Sequence, residues 1–221
     1  MKKSNLKILF YSLLAFTITV RAMDIAATEN ELSGTIISVK GNPELIRNDK
    51  KIPLTLRTIV HQEDVIITGV GESLVLRLNT GDTVVISQLS HLKVDITDDM
   101  SVNLSHDQGM IWARVKARKF LQDKEMFKVR TPTALAGVRG TAFSSNIESD
   151  NKSWFCVCEG RLEVSQDESR TTAQKGEVVV AAEKGGVTAP TRDAALLEHP
   201  SQFTKSCLRC HQGGYSRDSM Y

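Results

Sequence analysis

Apolar and polar residues alternate in short runs over most of the chain. In Ser73–Leu78 the side chains of Leu74, Leu76 and Leu78 fall on one face of an extended segment, and His91–Ile96 alternates in the same way. Turn-forming residues separate these runs, as in Asn79-Thr80-Gly81-Asp82. A period of two with closely spaced turns predicts strands. The predicted strands cover residues 34–41, 63–68, 73–78, 83–87, 91–96, 110–117, 125–130, 141–148, 153–158, 161–165 and 177–182.

Helical spacing is found in only two segments, 105–120 and 192–204. Asp107-Gln108-Gly109 interrupts the first of these, so a strand is favoured there. Residues 192–203 are predicted to form a short helix that leads into the C-terminal tail. The pattern as a whole predicts an all-β domain, either a sandwich or a short β-solenoid, with a short helical or irregular tail.

The N-terminus has the organisation of a secretory signal peptide. Lys2, Lys3 and Lys7 precede a mostly apolar stretch over residues 8–20, and Val20-Arg21-Ala22 places small or β-branched residues where a signal peptidase reads. We expect cleavage after Ala22. An apolar stretch of this length is short for a membrane span, so no stable transmembrane span is expected and an uncleaved signal-anchor is the alternative.

Removal of residues 1–22 changes the net charge of the protein. Four of the 28 basic residues and none of the 26 acidic residues lie in this segment, so the remaining chain carries a net charge of −2. A chain of this charge offers no basic surface for nucleic acid, which is not expected as a partner. The remaining length suits one domain with a core and a tail.

The strongest chemical motif is Cys207-Leu208-Arg209-Cys210-His211, which has the spacing of a c-type haem attachment sequence. Cys207 and Cys210 would add to the two vinyl groups of the porphyrin, and His211 would be the proximal iron ligand. His199 and Met220 are the candidate sixth ligands. The motif predicts one covalently bound haem c and a role in electron transfer or sensing.

A second cysteine pair leaves other interpretations open. Cys156 and Cys158 share one face of a predicted strand with Trp154, and a bond between residues i and i+2 of a strand would be strained. The pair would therefore act on a third partner. One alternative is two disulfides to the tail, and another is a metal such as zinc. The metal ligands would be Cys156, Cys158, Cys207 and Cys210, with His211 or His199 as an alternative ligand. In a third alternative the tail carries haem and the strand pair is separate from it, bridged to each other or to a partner chain.

The remaining histidines carry no such signal. His61, His91 and His106 lie in polar or alternating segments and are expected to be ordinary surface residues. No nucleophile–base–orienter set is visible in the sequence, so no enzymatic activity is predicted.

Residues 131–143 read Thr-Pro-Thr-Ala-Leu-Ala-Gly-Val-Arg-Gly-Thr-Ala-Phe and resemble the signature of the FecR domain. The flanking segments are similar to those of the family as well: a strand at 65–68, a hairpin over 73–87 and a hairpin over 156–164. Glu63-Asp64 stands where the family pattern has Gly-Asp. The resemblance covers residues 32–182 and assigns 183–221 to a linker and the Cys-x-x-Cys-His tail.

The resemblance implies a non-enzymatic β-domain in the bacterial envelope, periplasmic or otherwise secreted, that works through an envelope protein or a redox partner. The few residues before the apolar stretch are too short for the anti-sigma segment of the iron-transport regulators, so sigma-factor binding is not expected to carry over. The alternative function is a structural or sensory binding module. Its two cysteine motifs would form the metal site or the disulfide clamp described above.

Overall fold

The computed structural model describes residues 34–97, 101–117 and 127–192, and every regular element in these ranges is a strand. None of the described segments is a helix long and apolar enough to cross a membrane. The strands are β1 Gly34–Lys40, β2 Glu44–Arg47, β3 Lys50–Pro53, β4 Ile59–Val60, β5 Val65–Ile67, β6 Ser73–Leu78, β7 Thr83–Ile86, β8 His91–Ile96, β9 Val102–Arg114, β10 Phe127–Arg130, β11 Leu135–Val138, β12 Ala142–Ile147, β13 Ser153–Glu159, β14 Arg161–Gln166, β15 Ser169–Gln174, β16 Val178–Ala182 and β17 Gly186–Val187.

The strands pair into two sheets that share the long strand β9. In sheet A the order is β1-β6-β7-β9-β12-β13-β16-β17, and β4 pairs with β1. In sheet B the order is β3-β2-β5-β8-β9-β10-β11-β14-β15. All of these pairs are antiparallel except β9 with β10.

Strand β9 passes from one sheet to the other at Gly109. Residues before this glycine pair with β8 in sheet B, and those from Gly109 onward pair with β12 in sheet A. Gly109 has a φ of 82°, and an added Cβ would lie 2.5 Å from the Leu89 carbonyl oxygen. Only glycine meets both requirements, because other residues are strained at positive φ and have no room there.

The main apolar core takes side chains from both sheets. Leu76 and Phe155 come from sheet A, Leu92 and Val129 come from sheet B, and all four are fully buried. Burial of each such side chain contributes about 1.5–3 kcal/mol, which is the main force that holds the two layers together. The prediction of an all-β fold is confirmed, and the shared core corresponds to the sandwich alternative.

The observed strands differ from the predicted ones mainly where apolar and polar residues do not alternate clearly. Strand β9 begins at Val102, before the predicted start at residue 110, and the preference for strand over helix in this segment is confirmed. The predicted segments miss six strands, which are short or rich in polar or small residues and depend on their partners: β2, β3, β4, β11, β15 and β17. The predicted signal peptide and most of the predicted helix at 192–203 lie outside the described residues, as does the tail motif.

Candidate functional site

The first part of the signature segment forms a turn between β10 and β11. The Thr131 amide donates to the Ala134 carbonyl at 2.8 Å, and the Ala134 amide donates to the Thr131 hydroxyl at 3.0 Å. The buried Thr133 hydroxyl lies 2.6 Å from that of Ser153 at the start of β13. Pro132 at this turn has no amide to pair, so the chain leaves the ladder without loss of a hydrogen bond. The turn is therefore fixed to sheet A by polar contacts.

The second part of the signature, Val138-Arg139-Gly140-Thr141, crosses the hairpin between β13 and β14. An added Cβ at Gly160 would lie 2.6 Å from the Gly140 carbonyl oxygen, and Gly160 has a φ of 83°. The Thr141 hydroxyl donates to the Arg161 carbonyl at 2.6 Å and accepts the Arg161 amide at 3.3 Å. These residues hold two chain segments in close contact, which is a structural role.

An open groove of about 950 Å³ lies beside this crossing. Its floor is the outward face of sheet B, where Gly137, Glu163 and Thr172 stand side by side on β11, β14 and β15. Arg139 and Arg161 are exposed at its margin. The described lining offers guanidinium, amide and hydroxyl groups, the Glu163 carboxylate and a glycine on the floor, which suits hydrogen bonding to an extended polypeptide segment better than covalent chemistry.

Asp64, which follows the position where the family pattern has glycine, forms a buried ion pair. Its carboxylate accepts from Arg47 at 2.8 and 2.6 Å and from the His61 amide at 2.7 Å, while its side chain is 1% exposed. Glu63 occupies the glycine position with a φ of 67°. The fork of two guanidinium hydrogen bonds compensates the desolvation of the carboxylate, so this motif stabilises the fold.

The histidines differ from one another in their surroundings. His91 is partly exposed and lies 3.0 Å from the Asp107 carboxylate. The expectation for His106 was wrong, because its ring is fully buried between the sheets and its Nδ1 lies 3.0 Å from the Ser145 hydroxyl. Burial lowers the pKa of His106 from 6.5 to about 3, so it is neutral at physiological pH. The polar segment Ser105-His106-Asp107 gives no sequence signal for this burial.

Cys156 and Cys158 lie on β13, as predicted, and both are disulfide-bonded. Their side chains point away from the main core. Cys156 packs with Trp154, Val178 and Val180, and Cys158 packs in a separate cluster with Trp112 and Ala142.

The described ranges contain no group of three or more His, Cys, Asp or Glu side chains placed to hold a metal ion. Cys207, Cys210, His211, His199 and Met220 lie outside the described residues, so the haem and zinc sites stay predictions.

Comparison with known proteins places the fold. Residues 64–163 match the family model described as FecR protein. No curated protein matches the chain. A crystal structure of a candidate anti-sigma factor from Parabacteroides distasonis is 20% identical with a TM-score of 0.49; the match covers 56% of this chain and 57% of that one. This chain thus spans little more than half the length of that relative.

A second candidate anti-sigma factor from Parabacteroides distasonis, with a crystal structure at 1.65 Å resolution, is 17% identical. Its TM-score is 0.51, and the match covers 67% of this chain and 74% of the other. At this level of identity the likeness concerns the fold. The match to the FecR family model falls on the strands and crossings that carry the Thr-Pro and Val-Arg-Gly-Thr segments, so residues 64–163 of this chain are similar to a FecR domain.

Proposed function

We propose that this chain is a non-enzymatic sensory or binding protein of the bacterial envelope that acts through a protein partner. The observation that carries the proposal is the match of residues 64–163 to the FecR family model. FecR proteins are regulatory, and the solved relatives of similar fold are described as candidate anti-sigma factors. In this chain the signature residues serve the crossing of β11 over the β13–β14 hairpin, which leaves the adjacent groove open for recognition.

The groove is the surface we assign to the partner. It is open and has a volume of about 950 Å³, and three strands present their outward side chains along it. Arg161 is exposed at one end, and Gln174 stands beside it on β15. Guanidinium and amide groups bind carboxylates and backbone carbonyls well, so an acidic residue of the partner segment fits at the Arg161 end of the groove.

The location in the envelope is tested first. The full chain is expressed in a bacterium with two membranes, which is then fractionated, and the N-terminus of the recovered protein is sequenced. We expect a mature protein that begins at Met23 in the periplasmic fraction. Recovery from the cytoplasm with residues 1–22 intact would overturn the proposed location.

The groove is tested by photocrosslinking in the bacterium that makes the protein. Benzoylphenylalanine replaces Arg161 in one variant and Glu168 in the control, since Glu168 is exposed on the β14–β15 turn outside the groove lining. We expect a discrete adduct with an envelope protein from position 161 only. Equal adducts from both positions, or none from either, would contradict a partner site in the groove.

A haem-bearing accessory protein is the second candidate, because Cys207-Leu208-Arg209-Cys210-His211 has the attachment spacing. The full chain is made in cells with the c-type cytochrome maturation system, and its intact mass and visible spectrum are measured. The expected result for this candidate is the mass of one added haem with haem absorbance. A mature chain that has neither the added mass nor the haem absorbance would refute the haem-bearing candidate.

A further inference from the structure

The outward face of sheet A is apolar along a continuous cross-strand row. Strand register places one residue from each of six strands side by side on this face. The row is Val75, Val85, Trp112, Ser144, Cys156 and Val178. Trp154 and Val180 form a second pair next to it on β13 and β16. We refer to this surface as the outer face of sheet A.

The outer face of sheet A is buried, although the main core lies on the opposite side of the sheet. Trp112 is 8% exposed, Trp154 is 6% exposed and Cys156 is fully buried. Within the described ranges, the two clusters on this face contain only residues of sheet A itself. The outer face of a sandwich sheet is solvated unless another layer covers it, so a further segment is required.

The two strand cysteines identify the covering segment. Bonded sulfur atoms lie about 2 Å apart, so a Cys156–Cys158 bond would place both residues in one cluster. They pack instead in two separate clusters, yet both are disulfide-bonded. The chain has four cysteines, and the other two are Cys207 and Cys210.

We propose that the C-terminal segment around Cys207 and Cys210 lies on the outer face of sheet A and is held there by two disulfides to Cys156 and Cys158. The spacings are compatible: residues i and i+2 of a strand lie about 7 Å apart, and residues i and i+3 of a helical turn lie about 5–6 Å apart. Both bonds can therefore form together. The proposal is independent of the groove and of the partner proposed above.

The path of the chain allows this arrangement. Thr191 bridges Val178 on β16, so the chain runs next to the outer face where the described residues end. Fourteen residues lie between Arg192 and Cys207, and the fifteen Cα-to-Cα steps span up to about 50 Å when the chain is extended. This reach exceeds the width of the four strands β9, β12, β13 and β16, which is about 15 Å at the usual strand spacing.

Formation of the two bonds is an oxidation that needs an acceptor of electrons. In each bond two thiols lose two protons and two electrons to a protein disulfide of the extracytoplasmic exchange class, which becomes a dithiol. A thiolate first forms a mixed disulfide with that protein, and the second cysteine of the pair then displaces it. Sulfur atoms bonded in this way are not available for thioether bonds. The two disulfides, which we call the staple, and covalent haem therefore exclude each other.

Peptide mapping under non-reducing conditions tests the staple in the full chain purified from an oxidising compartment. Trypsin releases residues 153–161, which contain both strand cysteines, and cuts the tail into 206–209 and 210–217 with one cysteine each. We expect one species that joins all three peptides and separates on reduction. A bond within 153–161 alone, alkylated free thiols or haem on the tail peptides would each overturn the proposal.

Tryptophan fluorescence gives a second readout, because both tryptophans of the chain, Trp112 and Trp154, lie on the outer face. In the double variant Cys207→Ser/Cys210→Ser we expect a red-shifted emission and at least a twofold increase in acrylamide quenching. Ser206→Ala is the matched control and leaves both unchanged. Unchanged quenching in the double variant, with a native far-UV spectrum, would show that another segment covers this face.

Discussion

Protonation of the buried His106 is expected to control the acid stability of the domain. Its ring is enclosed between the sheets next to the Ser145 hydroxyl, and burial lowers its pKa to about 3. In the unfolded chain the same ring titrates near 6.5. Below that pH the unfolded state takes up a proton that the folded state does not, so the folded state loses free energy relative to it. The stabilising contribution is thus complete above pH 6.5 and is lost as the pH falls toward 3.

The magnitude follows from the difference between the two pKa values. Each pH unit within the window costs about 1.4 kcal/mol, because one proton separates the two states. Between pH 7.5 and pH 4.5 the loss due to His106 is therefore about 3 kcal/mol. This is a large part of the 5–15 kcal/mol that is typical for a domain.

The variant His106→Asn isolates this contribution. Asparagine does not titrate, and its side-chain amide can keep a hydrogen bond to Ser145. Urea unfolding followed by far-UV circular dichroism gives the free energy of unfolding of both proteins at pH 7.5 and 4.5. The wild type is expected to lose about 3 kcal/mol more than the variant over this range. The pH-independent cost of the smaller side chain cancels in the comparison.

His91→Asn is the control for a histidine on the surface. The His91 side chain is 38% exposed and pairs with Asp107 at the surface, so its removal is expected to cost less than about 1 kcal/mol of unfolding free energy. If the wild type and His106→Asn lose equal free energy between the two pH values, the buried neutral histidine is refuted as the cause of acid sensitivity.

Two further changes test the structural roles of the family motifs by urea unfolding. Gly160→Ala is expected to lower the free energy of unfolding by about 2 kcal/mol more than the control Gly71→Ala. Both glycines have a positive φ, but of these two only Gly160 would place an added Cβ against backbone, 2.6 Å from the Gly140 carbonyl oxygen. Equal losses in the two variants would contradict the close crossing. Asp64→Asn is expected to lower the free energy of unfolding by about 2 kcal/mol, because Arg47 loses its charged partner. Glu44→Gln is the control in the exposed pair with Lys51 and should cost under about 1 kcal/mol. Similar costs for these two variants would show that the Arg47–Asp64 pair stabilises the folded state no more than an exposed pair does.

The alternation of apolar residues determined most of the strands. In β6 and β8 the period of two is complete, and the observed strands are Ser73–Leu78 and His91–Ile96, the predicted segments. Such patterns are local, because successive side chains of a strand point to opposite faces. The signature segment is local in the same sense, because Gly140 has a positive φ of 59° and the Thr141 hydroxyl donates to the Arg161 carbonyl at the crossing.

The passage of β9 between the sheets was not predictable in the same way. The alternation ends after Leu104, since residues 105–109 are all polar or glycine, and their strand conformation depends on pairing with strands from other parts of the chain. His106 is buried for the same reason, since its ring faces the interior only after both sheets are in place. Burial of a polar side chain depends on neighbours that are remote in sequence.

Strand β13 separates what the local sequence pattern determines from what only the tertiary structure decides. The period of two alone placed Trp154, Cys156 and Cys158 on one face of a strand, and the structure has them on the outward side of β13. That this face is buried, and that both thiols are oxidised, depends on the sheet register and on what covers the sheet. A strand has two faces of equal backbone geometry, so only the packing of the complete chain decides which of them meets solvent.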